Sequence, residues 1–266
     1  MTPSSPVLYH VDDRVAVVAL NRPPVNAIDH PMIDAIHAAL QRADEDPAAR
    51  AIVLTSALPG MFCGGMDLKM VARGDGLALR EFVYKFYMKT MDLQYRLRKP
   101  TLAAINGPAR GAGMSLSITC DMIVAADDVD LGYPEIDVGL IPAIHYVHLP
   151  QQIGRHRAFE LLFSGKPIAA TEAAQWGLIN HAVPREALMD TAMSLARTLA
   201  EKSPMLMALG RASFLRANDL DYRRNVENQI ETLCNVFETA DGREGLQAFL
   251  EKRRPAWRRD PHGAAE

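Results

Sequence analysis

Four short apolar runs, Val15–Leu20, Ala51–Ser56, Thr101–Ile105 and Met122–Ala126, recur along the first half of the chain with helix-like stretches between them. Runs this short and uniformly apolar read as strands covered on both faces. Strands alternating with helices point to a mostly parallel α/β sheet. Two of the runs lead into glycine-bearing turns, at residues 62–68 and 106–113, and each turn opens a helix-like stretch. A strand-to-helix turn presents backbone N–H groups. Two such turns, if they converge, can hold an oxyanion between two amides.

The remaining pattern fills in around this frame. Residues 7–10 form a strand that pairs across a polar Asp12-Asp13-Arg14 turn. Asp29 caps a helix that runs to about Asp44, with Pro31 in its first turn. Residues 77–98 space Phe82, Phe86, Met91, Leu93 and Leu97 as one helix, which Lys99-Pro100 ends. Residues 114–120 are a short helix, and 131–135 a loop or edge strand. From Ile144 onward helices dominate, at about 144–153, 155–163, 171–176, 185–201, 204–217, 219–238 and 242–252. The helix around 221–238 carries Val226, Ile230, Leu233 and Phe237 on one side and needs a surface to bury them, either the core or another subunit.

With 266 residues and 48% hydrophobic content the chain can build a sizeable core. A net charge of −3 gives no reason to expect nucleic acid or an anionic membrane surface as partner. The basic run Lys252-Arg253-Arg254 with Arg258-Arg259 reads either as a solvated helix end or as a phosphate contact. Cys63, Cys120 and Cys234 fit no zinc spacing and no disulfide framework, so a cytoplasmic location and no metal are expected. The first residues show no signal-peptide pattern, and no apolar stretch is long enough to span a membrane.

Six segments in order resemble the crotonase (enoyl-CoA hydratase/isomerase) superfamily. They are 20–29 with Leu20-Asn21-Arg22-Pro23 and Asn26-Ala27-Ile28-Asp29; 51–68 with Phe62-Cys63-Gly64-Gly65-Met66-Asp67-Leu68; 99–121 with Asn106-Gly107, Gly111-Ala112-Gly113 and Cys120-Asp121; 134–142 with Pro134-Glu135-Ile136 and Gly139-Leu140-Ile141-Pro142; 173–180; and 241–253. The resemblance covers nearly the whole chain. It implies an α/β fold built as a spiral of ββα units, with a core at residues 1–200 and a helical oligomerisation region at 201–266. It also implies a homotrimer or a dimer of trimers, and an acyl-CoA thioester substrate. Coenzyme A then enters as part of the substrate, with no separate cofactor.

By position, the resemblance makes the N–H groups of Met66 and Ala112 the oxyanion donors, each contributing roughly 3–4 kcal/mol. Gly65 and Gly111 supply turn geometry. Ala27, Asp67 and Leu68 contact the adenine and pantetheine of coenzyme A. Many members carry a lysine just before the Asn-Ala pair; here those positions are Pro24 and Val25, so Lys252, of this or a neighbouring subunit, stands in as phosphate partner.

A hydratase of this family uses two glutamates. The first position is Ser115, whose hydroxyl cannot act as a base without a base of its own. The second is Glu135. One glutamate in an apolar pocket suits a proton shuttle, as in Δ3,Δ2-enoyl-CoA isomerases. After Pro142 the family opens a helix with a glycine pair; this chain has His145-Tyr146, so the acyl pocket is reshaped. His145 reads as a second acid/base group or as a helix-start histidine bonded to backbone. His148 reads as packing, Asp137 as sharing a face with Glu135 if the segment is extended, Asp121 as structural and Cys63 as packing. Three functions follow: isomerisation by Glu135 alone; hydration or another lyase reaction using His145 or a Ser115-held water; and a non-catalytic CoA-binding or scaffolding role.

Overall fold

A computed structural model describes residues 5–218 and 221–258. β1 (Val7–Asp12) and β2 (Val15–Leu20) pair antiparallel from Val7 opposite Leu20 to Asp12 opposite Val15. Asp13 and Arg14 sit at φ 43° and 64°, as a two-residue hairpin turn of this twist requires. The hairpin continues into β3 (Ala51–Ser56), β4 (Thr101–Ile105), β6 (Met122–Ala126) and β9 (His181–Val183), all paired parallel in that order. Between these strands come β5 (Ala109–Arg110), β7 (Asp130–Gly132) and β8 (Ile168–Ala169), which form a second, three-stranded sheet. β2, β3 and β4 are buried at every position, as their apolar runs demand.

α1 (His30–Glu45) starts at the expected cap: the Asp29 carboxylate accepts from the Met32 N–H at 2.9 Å. α2 (Leu68–Arg73) is the helix-like stretch that the first glycine turn opens. Asp67 caps it, accepting from Lys69 N–H at 3.1 Å and Met70 N–H at 3.3 Å. The expected helix over 77–98 is three pieces: α3 (Gly76–Val83), a π turn at Tyr84–Lys89 and α4 (Thr90–Arg96). Phe86, Tyr87 and Met88 are consecutive and all buried, which is more than a 3.6-residue stripe can turn inward; the wider turn accommodates them.

Then follow α5 (Ala112–Ile118), α6 (His145–Ile153), α7 (Arg155–Ser164), α8 (Ala170–Trp176), α9 (Leu188–Ala200), α10 (Pro204–Asn218), α11 (Tyr222–Phe237) and α12 (Ala240–Leu250). The stripe Val226, Ile230, Leu233 and Phe237 is buried against this chain's own α3, π turn and α6. Residues 219–220 of the expected helix lie outside the described residues. α12 packs against α2 and against the 3₁₀ turn Pro134–Val138. α10 differs: Met205, Leu206, Leu209 and Phe214 are 64–71% exposed, and Arg211 alone is buried, donating to Asp121 at 2.7 Å and to the carbonyls of Gln94 and Leu97. Asp121 also accepts from the Thr101 N–H and hydroxyl, so it is a structural tie.

Candidate active site

Backbone pairing brings the two glycine turns together. Cys63 and Ala109 form an isolated parallel bridge, with Cys63 N–H donating to Pro108 O at 3.2 Å and Arg110 N–H to Cys63 O at 2.9 Å. A Cβ on Gly65, which has φ 103°, would sit 3.3 Å from Arg110 O and 3.9 Å from Ala112 N. The first turn therefore lies directly against the second. Ile28 pairs with Met66 in the same manner: Ile28 N–H donates to Gly65 O and Asp67 N–H to Ile28 O. In a parallel bridge the middle residue's N–H faces the opposite side. The Met66 N–H is so directed, away from Ile28. The Ala112 N–H is the first of α5, where no intrahelical acceptor exists.

The loop carrying Ala27 is held by two residues to which the sequence reading assigned no role. Arg22 donates to Ala27 O at 2.7 Å and pairs with Asp29 at 2.7 Å and Asp67 at 3.1 Å. Buried Asn26, at φ 51°, donates to the Ser56 hydroxyl and Phe62 O, each at 2.8 Å, and accepts from Arg22 N–H. Together they tie Ala27, Asp67 and Leu68 to one rim. Beside that rim lies a surface groove of 410 Å³ lined by Asp29, His30, Asp67, Lys69, Met70 and Arg73. Lys252 instead sits at the exposed end of α12. Arg253 pairs with Glu244 and Glu251, so this part of the basic run is a solvated helix end. The Arg258 side chain and Arg259 lie outside the described residues.

Glu135 stands on the 3₁₀ turn and is 7% exposed. Its carboxyl lies against the second glycine turn: a Cβ on Gly111, at φ 47°, would meet Oε1 at 2.8 Å. Oε2 has no hydrogen-bond partner. Burial pushes the carboxyl up to about 7, opposed only by a hydrogen bond from its own backbone. Its charge also helps raise the phenols of Tyr87 and Tyr146, after burial itself. Asp137 does not join it. The segment is 3₁₀ rather than extended, so residues two apart diverge, and Asp137 lies against Gly165.

Ser115, on α5, is 4% exposed. Its hydroxyl lies 3.0 Å from His145 Nε2 and 3.3 Å from Gly111 O. His145 Nδ1 lies 3.2 Å from His148 Nε2, so His148 is more than packing. Pro142 O accepts from His145 N–H at 3.0 Å and sets the start of α6. Tyr133 covers the His145 ring at 4.2 Å between centroids. Burial depresses His145 well below the usual imidazole range and His148 to about 4, so both rings are neutral near pH 7. His145 is therefore bonded to side chains, not backbone, and its ring occupies the space beside the shortened residue 115. The i, i+3 spacing of 145 and 148 on a helix was the signal available in the sequence. Cys63 is buried, its thiol pushed up to about 12, and it donates to Asn26 O.

The site thus offers two backbone amides on adjoining turns, one buried carboxyl near neutrality and a neutral serine–imidazole pair. Known proteins resemble this chain over nearly its whole length. The family model described as "Enoyl-CoA hydratase/isomerase" matches residues 10–260. A Bacillus subtilis (strain 168) protein named "Probable enoyl-CoA hydratase" is 32% identical over 251 residues, covering 93% of this chain and 96% of that one. A Proteus mirabilis "Carnitinyl-CoA dehydratase" is 32% identical over 256 residues, covering 94% and 97%. The solved structure of a carnitinyl-CoA hydratase from Mycobacterium avium superposes with a TM-score of 0.82 at 30% identity, covering 96% of this chain and 99% of that one.

Proposed function

The chain belongs to the enoyl-CoA hydratase/isomerase family, and from that premise we propose that it shifts protons on an acyl-CoA thioester with Glu135 as its single acid/base group, most like a Δ3,Δ2-enoyl-CoA isomerase. The observation that carries this is the buried Glu135 carboxyl against Gly111, with one oxygen free, where position 115 has no carboxylate. The thioester carbonyl sits between the Met66 and Ala112 N–H groups. The Glu135 carboxylate takes a proton from C2 of a 3-enoyl thioester. Charge moves onto the carbonyl oxygen, and each amide there is worth about 10²–10³ in rate. The double bond shifts from C3–C4 to C2–C3 as Glu135 returns the proton at C4. Ala27, Gly65, Asp67, Leu68 and Pro142 line the path of the substrate, and Lys69 and Arg73 of the 410 Å³ groove serve its phosphates together with Lys252 of a neighbouring subunit. Incubation with 3-enoyl-CoAs tests this. Conjugated 2-enoyl product is expected, and none at any chain length refutes it.

A second reading rests on the 3.0 Å contact of Ser115 with His145. A water held by Ser115 adds to C3 of a 2-enoyl thioester, its proton passing to His145, while Glu135 protonates C2. Relatives named as hydratases agree with it. Hydration that collapses in His145→Ala supports this reading, and hydration unchanged in that variant removes it.

The assembly is a homotrimer or dimer of trimers, with the exposed apolar residues of α10 in the interface. Three buried free cysteines suit a reducing, cytoplasmic setting. No helix among the described residues is long and apolar enough to cross a membrane.

A further inference from the structure

Behind Ser115 the polar contacts do not stop. His145 lies against His148, and His148 and Thr90 both line a small cavity of 20 Å³ that Ser115, His145, Tyr87 and Thr119 also border and whose remaining walls are apolar. That volume fits one water. Thr90 is buried, and its hydroxyl lies 2.8 Å from His37 Nε2. His37 is half-buried on α1 and lines a surface groove of 510 Å³ on the far side of the α4 segment. Hydrogen-bonding groups therefore run from the reaction centre to solvent through a largely apolar core.

We propose that Ser115, His145, His148, one water in the 20 Å³ cavity, Thr90 and His37 form a proton relay joining the acyl site to the opposite surface. The relay rests on the hydration reading above, because only that reading delivers a proton to Ser115. Its direction is reversible. With Ser115 donating to His145 Nε2, the Nδ1–H donates to His148. With His148 donating to Nδ1, the Nε2–H donates to Ser115, which donates to Gly111 O. Passing a proton exchanges one arrangement for the other, and no bond other than O–H and N–H is broken. A substrate thioester seated between the turns closes the near side to water, so the proton taken from the attacking water leaves by the far side.

The test compares Thr90→Val, Thr90→Ser and His148→Gln with the wild type in hydration of a short 2-enoyl-CoA, in H₂O and D₂O. Val keeps the shape of Thr90 and removes the hydroxyl, Ser keeps the hydroxyl, and Gln keeps hydrogen bonds at 148 but cannot exchange a ring proton. Thr90→Val and His148→Gln are expected to lower kcat on the order of tenfold with KM unchanged, and to enlarge the solvent isotope effect; the full loss of an acid/base group would be roughly 10² or more. Thr90→Ser restores both. Hydration that depends on His145 but is indifferent to Thr90→Val overturns the relay alone. A wild type that performs no hydration overturns the Ser115–His145 reading and the relay with it.

Discussion

Replacing Glu135 by Gln should make the protein inactive and, as pH rises from about 4.5 to about 7, progressively easier to keep folded relative to the wild type. The Glu135 carboxyl is held at about 7 against an ordinary 4.5, so ionising it inside the fold costs about 3 kcal/mol more than in the unfolded chain, at about 1.4 kcal/mol per tenfold. The folded value is the raised one. Below pH 4.5 both states hold the proton and there is no penalty. Between 4.5 and about 7 the unfolded chain has released its proton while the folded chain keeps it, so stability falls as pH rises. Above about 7 the penalty is constant. The Gln amide never ionises, and any cost of its unpaired N–H is the same at every pH. The stability difference, variant minus wild type, should therefore rise by about 3 kcal/mol from about pH 4.5 to about pH 8. Urea unfolding at fixed protein concentration across that range measures it. Meanwhile wild-type kcat/KM should fall tenfold per pH unit below about 7, leaving about 1% at about pH 5, and Glu135→Gln should lose about 10²–10⁴ in rate. A stability difference that is flat with pH would refute the buried, near-neutral carboxyl.

Gly111→Ala places a methyl 2.8 Å from Glu135 Oε1 at φ 47°; strain of about 1–3 kcal/mol and a loss of kcat on the order of 10² are expected, read by thermal melting and kinetics. Arg211→Ala leaves Asp121 and two carbonyls without their partner; about 3–5 kcal/mol of stability should be lost in denaturant unfolding, and a loss below about 1 kcal/mol would show that the tie is dispensable. Leu209→Glu puts a charge in the apolar face of α10 and should dissociate the oligomer in sedimentation velocity.

The strands of the large sheet were legible because their apolar runs are uninterrupted, and α1 because Asp29 and Pro31 mark its start. β5 and β9 were not, since two or three residues carry no periodicity. The π turn was invisible because each of its residues also suits an α-helix. At the site, Glu135 and the two turns stood out as ordered motifs. The Ser115–His145 contact did not, because it joins α5 to α6 across 30 residues of chain. Arg22 and Asn26 lay in a quoted motif, yet their work is to fix backbone, which residue type alone does not reveal.

The Cys63–Ala109 bridge has a consequence for how such a site can diversify. The spacing of the two amides is set by main-chain pairing between segments 46 residues apart in sequence, and side chains hardly enter it. Glu135, Ser115 and His145 arrive on three other supports: a 3₁₀ turn, α5 and α6. Under the proposed function, grip on the thioester and choice of reaction are thus inherited separately. Substitutions at the three can exchange one chemistry for another while the hold on the carbonyl persists, and a chain stripped of all three would still be a thioester receptor awaiting a new catalyst.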